Sequence, residues 1–225
     1  MTGPIPVTAD DLLPLEDFQS SHPLRVDLVY AQAAHIDNMF GGAIYRPDAR
    51  MLCHRKFLPV ILDAANLCHA RSGLFFELKD CLRTVEAQEK MRDTDIVKAN
   101  PHWLVEPNRL LSPPGKGGHP RGMAIDIILL DKNGAEIDMG TRFDYLTPDP
   151  ARNPAARSFT DLPAGVLEMR ALLESCMMDA AAKNDLPLLP LPQEWWDFRF
   201  PRDLYDLYVP VSDADMPAAF RMTDI

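Results

Sequence analysis

Positive charge is in short supply: 23 Lys and Arg face 33 Asp and Glu, a formal charge of −10. No basic run offsets that balance, which works against nucleic acid or an anionic membrane as the main partner. Long apolar runs are also missing, and Met1 to Asp11 has neither a positive nor an apolar segment. Neither a membrane span nor a signal peptide is expected. Cys53, Cys68, Cys81 and Cys176 are too few and too scattered for a disulfide framework, so a reducing cytoplasm fits best. There is no GxGxxG or P-loop pattern and no internal repeat, which leaves nucleotide-binding and solenoid folds without support.

What remains is an ordinary globular composition, 47% hydrophobic and 25% charged over 225 residues. It is read as a single domain over 1–225, with 201–225 as a C-terminal extension packed on it. Leu58 to Arg71 carries Val60, Ile61, Ala64, Leu67 and Cys68 on one stripe, with Pro59 in the first turn and Gly73 as C-cap, and reads as a core-facing helix. Leu74 to Leu78 suits a buried strand, and Thr84 caps a helix expected to run through about Val97. Met123–Leu130 and Glu136–Met139 flank an Asn133-Gly134 turn and read as a β-hairpin. Gly165 to Lys183 is a long amphipathic helix. Elements mix without βα alternation, so the expected class is α+β: a central, largely antiparallel sheet flanked by helices. The 21 prolines gather at 101–120, 147–154 and 186–201, where they shape long loops.

The residues that carry chemistry begin at Gly117-Gly118-His119-Pro120-Arg121-Gly122-Met123-Ala124-Ile125-Asp126, a glycine-rich loop entering a strand. Asp126 sits among apolar neighbours and needs a partner there; a cation shared with His119 is one way to supply it. A loop histidine beside a hydrogen-bonded aspartate is the other reading. Two Cys-His pairs, Cys53-His54 and Cys68-His69, suggest a rival zinc site. Adjacent helical residues point about 100° apart, however, so Cys68 and His69 cannot easily face one ion.

His119-x-x-Gly122-x-Ala124-x-Asp126 resembles the metal-binding segment of the VanX-type D-alanyl-D-alanine dipeptidases. Asp37-Asn38-Met39-Phe40-Gly41-Gly42, Asp80-Cys81-Leu82-Arg83, Met139-Gly140-Thr141-Arg142-Phe143-Asp144 and Glu194-Trp195-Trp196 resemble further family segments in the family's order, from about Leu28 to Phe198. The resemblance implies a zinc DD-peptidase-like fold and hydrolysis by metal-activated water. It implies His119, Asp126 and position 197 as metal ligands, Glu194 as general base and Arg83 as oxyanion stabiliser. Asp144 would hold the substrate's free amino group. Taken singly, Arg83 could equally be an ion-pair partner of Asp80 or Glu86, Asp144 a surface carboxylate, and the two tryptophans a core cluster.

Three positions depart from the family. Asp197 replaces a histidine, giving a harder, more anionic ligand set: zinc is still the implied ion, with iron(II) or manganese(II) as carboxylate-tolerant alternatives. Gly117 replaces a serine near the substrate, which could widen the pocket. Cys81 stands where the family has glycine or alanine, next to Arg83. The implied partner is a small dipeptide, D-alanyl-D-alanine or a related cell-wall fragment. A homo-oligomer is left open, and the segment after Pro201 could pack on the body, cover the cleft or meet another subunit. The rival reading is a noncatalytic or metal-deficient peptide-binding relative, or an inactivated His-to-Asp variant of a dipeptidase.

Overall fold

The computed structural model describes residues 3–106, 109–149 and 151–224. In chain order the strands and α-helices are β1 (Leu12–Pro14), β2 (Leu24–Val26), β3 (Leu52–His54), α1 (Leu58–Ser72), β4 (Phe75–Asp80), α2 (Val85–Arg92), α3 (Asp95–Ala99), β5 (Ala124–Leu130), α4 (Ala164–Lys183), β6 (Leu189–Pro190), β7 (Asp197–Arg199) and α5 (Arg202–Tyr205). The main sheet has the order β2-β4-β5-β7-β6, and β1 and β3 form a separate antiparallel pair. Within the main sheet β2 and β4 are parallel and the other pairs antiparallel. The architecture is thus α+β, with a sheet flanked by helices.

β5 is the central strand and all seven of its residues are buried. Ile125, Ile127 and Leu129 face one side of the pleat and Asp126, Ile128 and Leu130 the other, so Asp126 shares its face with apolar neighbours. Helix α1 buries Leu58, Val60, Ile61, Ala64, Ala65 and Cys68 and packs on β4 and α4. It ends at Gly73, whose φ of +73° a side chain would resist and whose N–H closes on the His69 carbonyl.

Two sequence expectations change. Thr84 does cap α2, its hydroxyl accepting from the Ala87 N–H, but the helix breaks at Asp93 and restarts as α3 behind Thr94. The Thr94 hydroxyl donates back to the Met91 carbonyl at 2.7 Å, which turns the chain at the end of α2. The expected hairpin forms its turn, with Asp131 Oδ1 accepting from the Asn133 and Ala135 N–H groups and Gly134 at φ +83°. Its second arm is only a bridge between Leu130 and Glu136. Asp138 then accepts from the Gly140 N–H, and Gly140 at φ +82° turns the chain away before a ladder grows.

The segment from Pro201 onward is bonded to distant parts of the chain. Ile5 and Leu207–Val209 exchange backbone hydrogen bonds, Val211 donates to Pro120, Val85 donates to Val211, and Arg46 donates to Met222. Buried Asp213 accepts from Thr84, Met222 and Thr223. These contacts brace the loop that carries His119 from behind.

Candidate active site

Neighbouring strands bring three aspartates into one row. Asp80 on β4 lies opposite Asp126 on β5, and Asp126 opposite Asp197 on β7. Facing residues on adjacent strands have Cβ atoms about 4.5–5.5 Å apart, where like charges repel, so the row is stable only if cations answer it. Arg83, Arg199 and His119 do so.

His119 arrives on a short 3-10 turn whose approach needs glycine. A Cβ at Gly118 would lie 2.8 Å from the Met123 carbonyl oxygen, and one at Gly122 2.8 Å from the His54 nitrogen. Arg121, buried beneath, donates to the carbonyls of Gly115, Gly117 and Tyr208 and holds the loop. His119 Nδ1 donates to the Cys81 carbonyl at 2.7 Å. That fixes the ring and leaves Nε2 facing Asp197 Oδ2 at 3.2 Å and Asp126 Oδ1 at 3.6 Å.

The charges are poorly balanced. Asp126 Oδ1 is buried and has no hydrogen-bond partner among the described residues. Burial raises the Asp126 carboxyl, against the pull of His119. Burial and Arg83 would lower His119, yet Asp126 and Asp197 lift it to about 9. Glu194 is driven far above the usual carboxylate range by burial and by the charges of Asp197 and Asp126. Asp197 alone is held low: burial would raise it, but Arg199 and His119 overcome that. The pocket as a whole calls for more positive charge than its side chains provide.

Asp80, His119 and Asp126 place ligand atoms within 4.8 Å of one another. Asp80 is nonetheless committed elsewhere: Tyr45 donates to one oxygen at 2.7 Å and Arg83 donates twice to the other at 2.9 and 2.7 Å. His119 also turns its already occupied nitrogen toward Asp80. The atoms a cation could take up are therefore the orphaned Asp126 oxygen and His119 Nε2, the latter on giving up its hydrogen bond to Asp197 Oδ2. Asp197, the third ligand expected from sequence, lines the same pocket but is gripped by Arg199 through Nε at 2.7 Å and through Nη2.

Arg83, Asp144, Gly117 and Glu194 line this pocket together with His119, Asp126 and Asp197. Arg83 pairs with Asp80, as one of the two sequence readings expected, and also lines the pocket, with Nη2 3.7 Å from Asp126 Oδ2. Asp144 sits at φ +57°, a left-handed conformation that aspartate tolerates, and accepts from the Tyr30 hydroxyl at 2.8 Å. Burial lifts its carboxyl to about 7, against the Tyr30 bond. Trp195 and Trp196 are both buried, edge to face with centroids 5.3 Å apart, and seat Glu194 at the pocket wall. The Cys81 thiol is buried and pushed well up, so it is not an activated nucleophile. His54 is a buried neutral imidazole packed on Tyr208, while His69 packs on Phe75. Neither joins a metal cluster with Cys53 or Cys68 among the described residues.

Sequence reasoning missed Tyr30, Tyr45 and Arg199 as site residues. Only Arg199 offered a signal, as a charged residue two positions after Asp197 and so on the same strand face. A raised carboxylic acid, a guanidinium and a cation-seeking pair facing one small pocket can carry out general acid–base hydrolysis.

The family comparison gives this chemistry a class. Residues 10–213 match the peptidase family M15, D-ala-D-ala dipeptidase, and the chain belongs to that family. It is 28% identical over 182 residues to a D-alanyl-D-alanine dipeptidase of Escherichia coli (strain K12), covering 80% of each chain. A D-alanyl-D-alanine dipeptidase of Synechocystis is 32% identical over 106 residues, 43% of this chain and 38% of the relative. Among solved structures, a Serratia marcescens L-Ala D-Glu endopeptidase, ChiX, is similar at a TM-score of 0.37 and 13% identity, over 68% of this chain and 84% of that one. That likeness is too distant to carry an argument.

Proposed function

We propose that the chain is a metal-dependent dipeptidase acting on a small D,D-dipeptide, D-alanyl-D-alanine or a related cell-wall fragment. The carrying observation is the buried, unpartnered Asp126 oxygen beside His119 Nε2, in a pocket that also holds Glu194 and Arg83. His119 and Asp126 would hold a divalent cation, with Asp197 as third ligand through whatever share of its carboxylate Arg199 leaves free. Such a cation supplies Lewis-acid polarisation of water and of the scissile carbonyl. Zinc is the family's ion, and the carboxylate-rich set also suits iron(II) or manganese(II).

The protein's own groups do the rest. Asp144, steadied by Tyr30, receives the substrate's ammonium. Glu194 takes the proton from the attacking water and returns it to the departing amine; a cation held by His119 and Asp126 would offset the burial and the neighbouring carboxylates that raise it, freeing it to act as the base. Arg83, held in place by Asp80, meets the oxyanion. The four free cysteines support a reducing cytoplasm.

The second reading, a metal-poor peptide-binding protein, is favoured by one observation: the Arg199 guanidinium already neutralises Asp197. Metal analysis of the purified protein, paired with a D-alanyl-D-alanine hydrolysis assay before and after chelation, separates the two. Stoichiometric metal with chelator-sensitive turnover is the expected result. A metal-free protein that binds the dipeptide, and hydrolyses it with none of the three ions, would establish the second reading.

A further inference from the structure

The inner pocket is small, about 30 Å³. A second cavity of about 440 Å³ adjoins it, in the range of small-ligand sites. The two share Leu110, Ser112, Lys116, Gly117 and Arg199, so that wall is the passage between them. Asp144 lines only the inner pocket. A peptide whose ammonium rests on Asp144 and which outgrows the inner pocket could extend past the shared wall into the outer cavity.

Gly117 gives that wall its backbone turn. Gly117 has φ +91°, and a Cβ there would lie 3.5 Å from both Arg199 Nη1 and Ser112 Oγ. Arg199 spends Nε and Nη2 on Asp197, while Nη1 has no hydrogen-bond partner among the described residues. The outer cavity is lined by Arg109, Lys116, Arg199 and Arg202 against Glu106 and Asp206. Glu106 pairs with Arg109 and Asp206 with Arg202. Lys116, exposed, has no carboxylate within 4.0 Å among the described residues. In a chain of net charge −10 this cavity runs against the prevailing sign and attracts anions.

We propose that the outer cavity is a subsite for the leaving-group side of the substrate, where Lys116 and the free edge of Arg199 recognise the side-chain carboxylate of an acidic residue that follows the dipeptide. The proposal rests on the hydrolytic reading above. The reaction is unchanged by it: water adds hydroxyl to the acyl carbon, the C–N bond breaks, and the released amine, now the N-terminus of an acidic fragment, takes the proton.

The test compares D-alanyl-D-alanine with two tripeptides, D-alanyl-D-alanyl-glutamate and D-alanyl-D-alanyl-lysine, on the metal-loaded protein and on its Lys116→Glu variant. Lys116 is exposed, so the variant should fold. A glutamate-over-lysine preference in kcat/KM of at least ~5-fold is expected for the native protein, consistent with one partly desolvated charge contact. It should collapse or invert in Lys116→Glu. If the dipeptide is hydrolysed but the tripeptides are refused, or are cut alike in both proteins, the subsite is overturned and the dipeptidase reading survives. If none of the three peptides is hydrolysed, the dipeptidase reading fails, and calorimetric binding of the same tripeptides decides the subsite. A glutamate preference lost in Lys116→Glu then sustains it, and equal binding overturns it.

Discussion

Lys79 and Asp80 are consecutive on β4 yet belong to opposite kinds of buried charge cluster. Lys79 Nζ is buried and reaches Glu77 at 2.7 Å, Asp27 at 2.8 Å and Asp37 at 3.3 Å. Arg142 adds a contact to Asp37 and His35 one to Asp27. Burial would lower the lysine, but Asp27 and Glu77 hold it well above its ordinary range. Each buried charge here has a close partner of opposite sign, exposed Glu136 standing at the rim 3.9 Å from Lys79, and the cluster rivets the 27–37 segment to the sheet near Asp144. Around Asp80 the row Asp80-Asp126-Asp197 and Glu194 are answered incompletely: one oxygen has no partner and two carboxyls are raised. A closed network holds a fold together, whereas an open one is held by the fold and keeps its binding capacity for something else.

The sharpest way to break this comparison is to open the closed cluster. Lys79→Ala leaves three carboxylates facing one another with the central cation gone, and should cost about 3–5 kcal/mol of stability by denaturant titration. A loss below about 1 kcal/mol would mean that the cluster is solvated and no rivet. In the open cluster the effect should fall on activity: Glu194→Ala is expected to lower kcat at least ~100-fold with substrate affinity retained, measured by steady-state kinetics and calorimetry. Comparable turnover would remove Glu194 from the chemistry.

Asp144 should give the pH signature. Its carboxyl titrates near 7 in the folded protein, so it is anionic above that pH and neutral below, and only the anion pairs with an ammonium. KM should rise as pH falls below 7, approaching ~10-fold per unit, and Asp144→Asn should flatten that limb while raising KM throughout. A KM flat between pH 5 and 8 in the native protein would take the ammonium away from Asp144. The smallest effect runs against intuition. Asp126→Asn removes a buried charge that lacks a full set of partners, so the metal-free protein should gain about 1 kcal/mol, roughly 2–4 °C in Tm. Loss of stability there would show Asp126 to be a structural residue like those around Lys79.

Much of the fold was legible in residue spacing. Helices α1 and α4 follow from apolar stripes at helical period, and the α1 stop from Gly73, because local backbone preference and one buried face suffice to specify such elements. The break between α2 and α3 and the stunted hairpin arm were not legible. Both depend on side chains that turn the chain locally, Thr94 and Asp138, in competition with continued helix or ladder.

For the site, the sequence by itself determined the cast: His119, Asp126, Glu194, Arg83 and Asp144 in the order of one peptidase family, with Asp197 out of pattern. Only the tertiary structure decided how they are partnered. Strand register put Asp80, Asp126 and Asp197 in one row, Tyr30 crossed from residue 30 to reach Asp144, and Arg199 took hold of Asp197. Register and long-range packing set those contacts, and a one-residue slip would turn each aspartate to the other face of the sheet. Spacing along a single chain carries no record of the register between strands.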